Sequence, residues 1–386
     1  MPEKMFQLPN IYQQHLKNQF NLPQYLTLYL LLNLLQNLKT IRLEEIARRF
    51  PYPIKLRSRV KKLQRFLSLK QWNINKVWFP IIKQWILQQW HRKTIIYLVI
   101  DRTQWGVINL LMVSLIYHHR AIPIYFQLLN KKGSSNFQEQ KEVLAPSLNL
   151  LKDYKIVVLG DREFCSVDLA KWLLYQGKVY FALRLKKNEY IQISEIWTQL
   201  NELYLCPGMS CYYQGVKVTK SKGFTGASLV GKWRRKYRHK SSKEPWFLLT
   251  NLKSLPETIS AYKKRMGIEE MFRDFKLGGY NLESTKVEGD RLIALLIIIT
   301  LAYSWSTFSG EEIKRKGISE YLVRPKEKGR SDKRYSDFSI GFNGLNFLQG
   351  VSVFEEQWQE LTSLFPQKSR YYRQGMRAIR LIQSAF

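Results

Sequence analysis

The chain is short of acids. Its 386 residues carry 30 Asp and Glu against 62 Lys and Arg, a formal net charge of +32. A positive field of that size argues against a basic partner and calls for a polyanion, nucleic acid first and an anionic membrane surface second. Cysteine is scarce as well. Cys165, Cys206 and Cys211 are too few for a disulfide scaffold. Cys206 and Cys211 have no neighbouring His or Cys pair to complete a zinc site. The five His include His118–His119 in a turn between strands and offer no general-base constellation. Long apolar runs are missing: Leu292 to Trp305 is about 14 residues, short of the roughly 20 that span a bilayer, and reads as a buried helix. Met1 to Lys17 lacks the apolar stretch of a signal peptide. These absences lead us to expect a cytoplasmic, nucleoid-associated protein with no membrane partner and no small-molecule cofactor. Hydrophobic residues, at 45%, still suffice for a real core.

The first hundred residues hold 17 Lys and Arg and only three acids. Tyr25–Leu38 reads as a Leu-rich helix, and Leu43–Phe50 as a short one with acids in its first turn and Arg48 and Arg49 in its last. After Pro51 and Pro53 comes Arg57–Leu69, apolar at Val60, Leu63, Phe66 and Leu67. Arg57, Arg59, Lys61 and Lys62 surround that face. Helix, turn and basic helix is the layout of a DNA-binding unit, so these four cations are candidate phosphate contacts. The bland alternative is a helical bundle kept soluble by its charges.

Thr94–Asp101 is apolar on both faces, as a buried central strand is. Gly106–Tyr117 and Ala121–Leu129 complete a meander. A helix over Asn136–Leu151, a strand over Lys155–Asp161, a helix over Cys165–Gln176 and a strand over Lys178–Leu185 follow. From Lys186 to Pro245 the texture turns to Gly, Ser, Tyr and cations, which reads as a β-rich insertion. Trp246–Thr250 is a last strand, and Glu257–Lys276 a helix. The tail from Gly310 contains a charged span, densest over Arg324–Arg334, and ends in two short helical stretches, the last basic.

Asp101 and Asp161 each close an apolar strand, where an unpaired carboxylate is costly. On a helix at 100° per residue, Tyr262, Arg265, Glu269, Arg273 and Lys276 fall within about 80° of arc. Ile268, Met271, Phe272 and Phe275 form an adjacent apolar face. Three acids meeting on one sheet rim would suit two Mg²⁺ or Mn²⁺ ions, which prefer oxygen ligands. Ions about 4 Å apart clamp the attacking and leaving oxygens of a phosphodiester. Arg and Lys neighbours would hold its phosphates.

The residues Tyr262, Arg265, Glu269 and Lys276 spell Y-x2-R-x3-E-x6-K. In this the chain resembles the DDE transposases of bacterial insertion sequences, in the large family numbered four. The resemblance covers roughly Ile95 to Lys286. It implies an α/β fold: a ribonuclease-H-like core with a mixed five-stranded sheet over 93–185 and 246–308. Outside the resemblance, composition alone gives a helical DNA-binding region over 1–92 and a helical region for dimerisation or DNA contact over 309–386; within it, a β-rich insertion would cover 186–245. It implies Asp101, Asp161 and Glu269 as catalytic metal ligands. It also implies cut-and-paste transposition through a DNA hairpin, with double-stranded DNA at terminal inverted repeats and target DNA as substrates and a homodimer in the synaptic complex. Tyr262 and Arg265 would grip phosphates near a flipped base. Trp233, among Lys232, Arg234 and Arg235, is the candidate to stack on that base, with Trp246 the alternative; the ordinary place for a strand Trp is the core. Two other readings stand beside it: a ribonuclease-H-fold nuclease without strand transfer, and a non-catalytic DNA-end-binding protein.

Overall fold

The computed structural model describes residues 8–235, 244–325, 327 and 335–386. Residues 236–243 of the insertion and most of the charged span 324–334 lie outside the described residues. The chain forms two compact units, Met1–Gln84 with Phe275–Phe386, and Trp85–Asp274. The N-terminal and C-terminal helical regions, expected as separate parts, therefore share one unit.

The first unit is helical. It contains α1 (Asn10–Gln19), α2 (Leu22–Leu38), α3 (Leu43–Arg49), α4 (Leu56–Leu67) and α5 (Ile74–Val77); α6 (Phe79–Gln89) leads out of it. From the other end of the chain come α11 (Gly289–Arg315), α12 (Asp337–Val353), α13 (Glu355–Ser363) and α14 (Ser369–Gln383). Helices α7 to α10 belong to the other unit. The helix through the apolar run at Leu292 does not end near Trp305 but runs from Gly289 to Arg315, 27 residues in all. That makes α11 long and apolar enough to cross a membrane by length and composition, yet 89% of its apolar window is buried inside the protein. It is the central core helix. Buried Gln36 of α2 keys onto it, donating to the Ala302 carbonyl at 2.7 Å and accepting from the Ser306 hydroxyl at 2.6 Å. Satisfying each polar atom lets Gln36 sit in the core without a desolvation loss.

The second unit is built on one ten-stranded sheet, not a five-stranded one. Its strands are β1 (Ile95–Trp105), β2 (Ile108–Tyr117), β3 (Arg120–Leu128), β4 (Lys155–Gly160), β5 (Val179–Arg184), β6 (Tyr190–Ile193), β7 (Ile196–Gln199), β8 (Ser210–Val218), β9 (Phe224–Lys232) and β10 (Trp246–Thr250). Their order is β3-β2-β1-β4-β5-β10-β9-β8-β6-β7. The insertion strands β6–β9 thus extend the core sheet through β10. β1, β4 and β5 run parallel, and β2 and β3 antiparallel. Helices α7 (Phe137–Leu150) and α8 (Val167–Leu174) link them. β1 runs past Asp101 because the hairpin with β2 continues pairing to Trp105↔Ile108. Gly106, expected inside a strand, makes the turn instead, with a positive φ of 54°.

The helix expected over Glu257–Lys276 is two helices, α9 (Leu255–Lys263) and α10 (Met266–Phe275). Just past the break, a Cβ on Gly267 would stand 3.1 Å from the Arg120 carbonyl carbon, so the glycine lets the start of α10 lie close against β3.

Candidate active site

Register brings the two aspartates together. The parallel ladder of β1 with β4 ends at Ile100↔Gly160, so Asp101 and Asp161 are each the next residue along. β4 stops there, and Asp161 turns the chain, its carboxylate accepting from the Glu163 amide at 2.8 Å. The turn role and the rim position coexist in one residue. Asp101 lies mid-strand, contrary to expectation, but past the end of its parallel partner. Its side chain is 15% exposed. One carboxylate oxygen accepts from the Arg102 amide at 2.8 Å and the other from Arg265 Nη1 at 3.3 Å.

Glu269 arrives through Arg265. Arg265 sits in the turn between α9 and α10, half-buried, and its Nη2 pairs with Glu269, one turn along α10. One guanidinium therefore bridges two of the three acids. Among the described residues no group of three or more His, Cys, Asp or Glu is arranged to hold a metal ion. The sheet alone does not assemble the expected carboxylate cage; Arg265 supplies the positive charge between Asp101 and Glu269. Burial pushes the Asp101 pKa up to about 7; Arg265 and the Arg102 amide oppose the rise, while Asp161 and Glu269 add to it.

The expected single polar face is broken with the helix. Tyr262 ends α9 and is buried. Burial raises its pKa, against the opposing fields of Arg265 and Arg184. Trp246, not Trp233, packs edge-on against Tyr262 at 5.0 Å, and the Arg234 guanidinium lies 4.5 Å over the Trp246 ring. Arg234, Trp246, Tyr262 and Arg265 thus form a chain of cation–π and aromatic contacts that ends at the acids. Trp233 closes β9, its carbonyl accepting from the Gly208 amide. Arg235 is exposed beside Gly208. Arg273 pairs with Glu270, and Glu270 also takes Arg120 at 2.9 Å, so Glu270 is spent on structure. Lys276 lies past the end of α10 and pairs with Glu283 at 2.7 Å.

Sequence reasoning missed a clamp. Arg102, next to Asp101, donates its Nε to both oxygens of Glu163 at 2.9 Å. Glu163 also accepts from the Ser135 amide and hydroxyl. Each aspartate is thus followed within two residues by one half of an ion pair that ties the two strand ends. Glu244 makes a second tie, to Arg162 and Arg184, each at 2.8 Å. The repeated Asp-Arg at 101–102 and 161–162 was the available signal.

The basic face of α4 is less free than its sequence suggested. Arg59 donates to the Phe50 carbonyl at 3.2 Å and the Arg48 carbonyl at 3.4 Å, finishing the end of α3. Lys62 lies 4.8 Å over the Tyr52 ring. Arg57 and Lys61 are exposed.

Residues 106–305 match the family described as transposase DDE domain. The match starts just beyond Asp101 and includes Asp161, Tyr262, Arg265, Glu269, Arg273 and Lys276. No curated protein matches the chain. A cryo-EM structure of the piggyBac transposase synaptic complex with hairpin DNA is similar at a TM-score of 0.46 and 16% identity, over 98% of this chain and 78% of that one.

Proposed function

Because the chain belongs to the transposase DDE-domain family, we propose that it is a cut-and-paste transposase whose Asp101, Asp161 and Glu269 hold the metal at the ends of a mobile element. The observation that carries this reading is the β1–β4 register, which sets Asp101 beside Asp161, with Arg265 tying Glu269 to Asp101. Three carboxylates give an all-oxygen donor set, which suits Mg²⁺ or Mn²⁺. Asp101 is also a largely enclosed carboxylate, whose charge is now met by Arg265 and would be met by a metal ion in its place. The residues therefore fit the group, provided Arg265 gives up its bridge. When bound, two such ions would supply Lewis-acid stabilisation of the attacking and leaving oxygens.

The chain's own residues supply the rest. The Arg102–Glu163 clamp fixes the two strand ends, so both aspartates are preorganised. A released Arg265 has a planar fork for a phosphate, and Tyr262 holds it from beneath. Trp246, already packed on Tyr262, is the better placed of the two Trp candidates to meet an unstacked base. The ribonuclease-H-like order of the first five strands, β3-β2-β1-β4-β5, supports the core assignment. A hairpin intermediate, terminal inverted repeats as substrate and a homodimeric synaptic complex complete the reading.

The test is cleavage of duplexes taken from the DNA flanking the coding region, with Mg²⁺. Asp161→Ala and Glu269→Ala should each abolish cutting while duplex binding persists. Undiminished cutting by either variant would remove that residue from the site. A joined product distinguishes a transposase from a nuclease without strand transfer, and binding without any cutting would leave only an end-binding protein. Binding should also weaken by about 10³ or more between 50 and 200 mM salt if six or more phosphates are neutralised. A flat salt response would contradict the polyanion reading of the +32 charge.

A further inference from the structure

Helix α14 has two unlike faces. One sends Ala378 and Ile382 into a core with Ile313, Ile340 and Leu348. The other carries Arg370, Arg373, Arg377 and Arg380, all exposed. Spaced three and four residues apart, these fall within about 80° of arc and make one row. The row is about 15 Å long at 1.5 Å per residue.

Some exposed arginines elsewhere have acids at hand: Arg42 pairs with Glu45, Arg273 with Glu270 and Arg315 with Glu312. The α14 row has none. Residues 361–386 contain no Asp or Glu at all. Among the described residues none of the four guanidinium groups makes an ion pair. Four unneutralised arginines in a line raise each other's electrostatic energy, and a row of anions relieves it. A duplex strand offers one charge per 3.4 Å or so of helix axis, so a row of this length meets several phosphates. The fork of each guanidinium matches a phosphate's paired oxygens. The helix lies outside the residues that match the family, 106–305.

We propose that the exposed face of α14 is a docking surface for the phosphate backbone of double-stranded DNA, read without regard to base sequence. The choice of DNA among polyanions rests on the proposed function; the surface itself does not. An acidic protein face is the competing occupant.

The experiment uses the full chain with Arg370→Gln, Arg373→Gln, Arg377→Gln and Arg380→Gln combined, and Arg373→Gln and Arg377→Gln singly. Fluorescence anisotropy follows binding of two labelled duplexes of unrelated sequence, without divalent metal, over a range of salt. The fourfold variant should bind both duplexes more weakly by the same factor, and its plot of log affinity against log salt should be shallower by about 3.6. Each single change should remove about 1 from the slope. Should the fourfold variant fail to fold, the single variants decide. An unchanged slope overturns the proposal, and so does an unchanged slope with self-association lost in sedimentation, which would assign the row to a protein partner. Because the readout is binding without cutting, its failure is separate from that of the cleavage reading.

Discussion

Asp101→Asn should abolish DNA cutting and, at the same time, make the protein harder to unfold at pH 8. Asparagine keeps the shape of the side chain and removes its charge. The cutting site loses one of its three anionic ligands, and transition-state charge stabilisation worth several kcal/mol goes with it, a rate loss of about 10³ or more. Stability moves the other way. Burial lifts the Asp101 pKa from 3.8 to about 7. The folded chain therefore binds this proton more tightly than the unfolded chain does. Raising pH from about 4 to about 7 ionises the group at a cost to the folded state, and the cost is complete above that window. At about 1.36 kcal/mol per unit the penalty is on the order of 4 kcal/mol. The neutral variant escapes it. Arg265 loses a partner but keeps Glu269. Urea unfolding of both proteins without divalent metal, at several pH values from 4 to 8, should show a gap that is widest at pH 8 and closes toward pH 4. Groups common to both chains cancel in the difference. Equal stability at pH 8 would mean that Arg265 fully offsets the burial of Asp101.

What could be read beforehand depended on how local each feature is. The apolar runs of β1 and β4 and the acids at their ends are visible in sequence, because burial on both faces leaves no alternation to hide them. Which residue of β1 lies beside which of β4 is not visible, and it is that register which sets Asp101 against Asp161. The alternating runs of the insertion read as β-structure, but their joining to the core sheet through β10 rests on pairings such as Leu248↔Val230 and Leu248↔Arg184. The close seat of α10 against β3 depends on Gly267 meeting the backbone of Arg120, far away in the chain. The same holds for Arg59. Its helical position marks it as basic and lateral, but its use on α3 carbonyls depends on how two helices cross. Gly310, read as the start of the tail, lies inside α11, which continues through it to Arg315.

That glycine carries the second large effect. Gly310→Ala or Gly341→Ala should destabilise the helical unit by about 3 kcal/mol or more. A Cβ on Gly310 would stand 1.8 Å from the Asp337 carbonyl oxygen, and one on Gly341 would stand 1.8 Å from the Ser306 carbonyl oxygen. In both cases the obstacle is backbone, which cannot rotate aside as a side chain can. Helices α11 and α12 therefore touch main chain to main chain, and a methyl group must push them apart along a packed core. Helix propensity works in the opposite direction, since alanine is favoured over glycine by about 1 kcal/mol in a helix interior. Gly350→Ala, also in α12, isolates that contribution: nothing lies within 4 Å of its added Cβ. It should stabilise by about 0.5–1 kcal/mol. Opposite signs for one substitution in one helix are the expected result in thermal unfolding. If Gly341→Ala and Gly350→Ala shifted the midpoint alike, the close crossing of α11 and α12 would be wrong. The steric cost should also appear without loss of duplex affinity per folded molecule, because neither glycine presents a side chain to any partner.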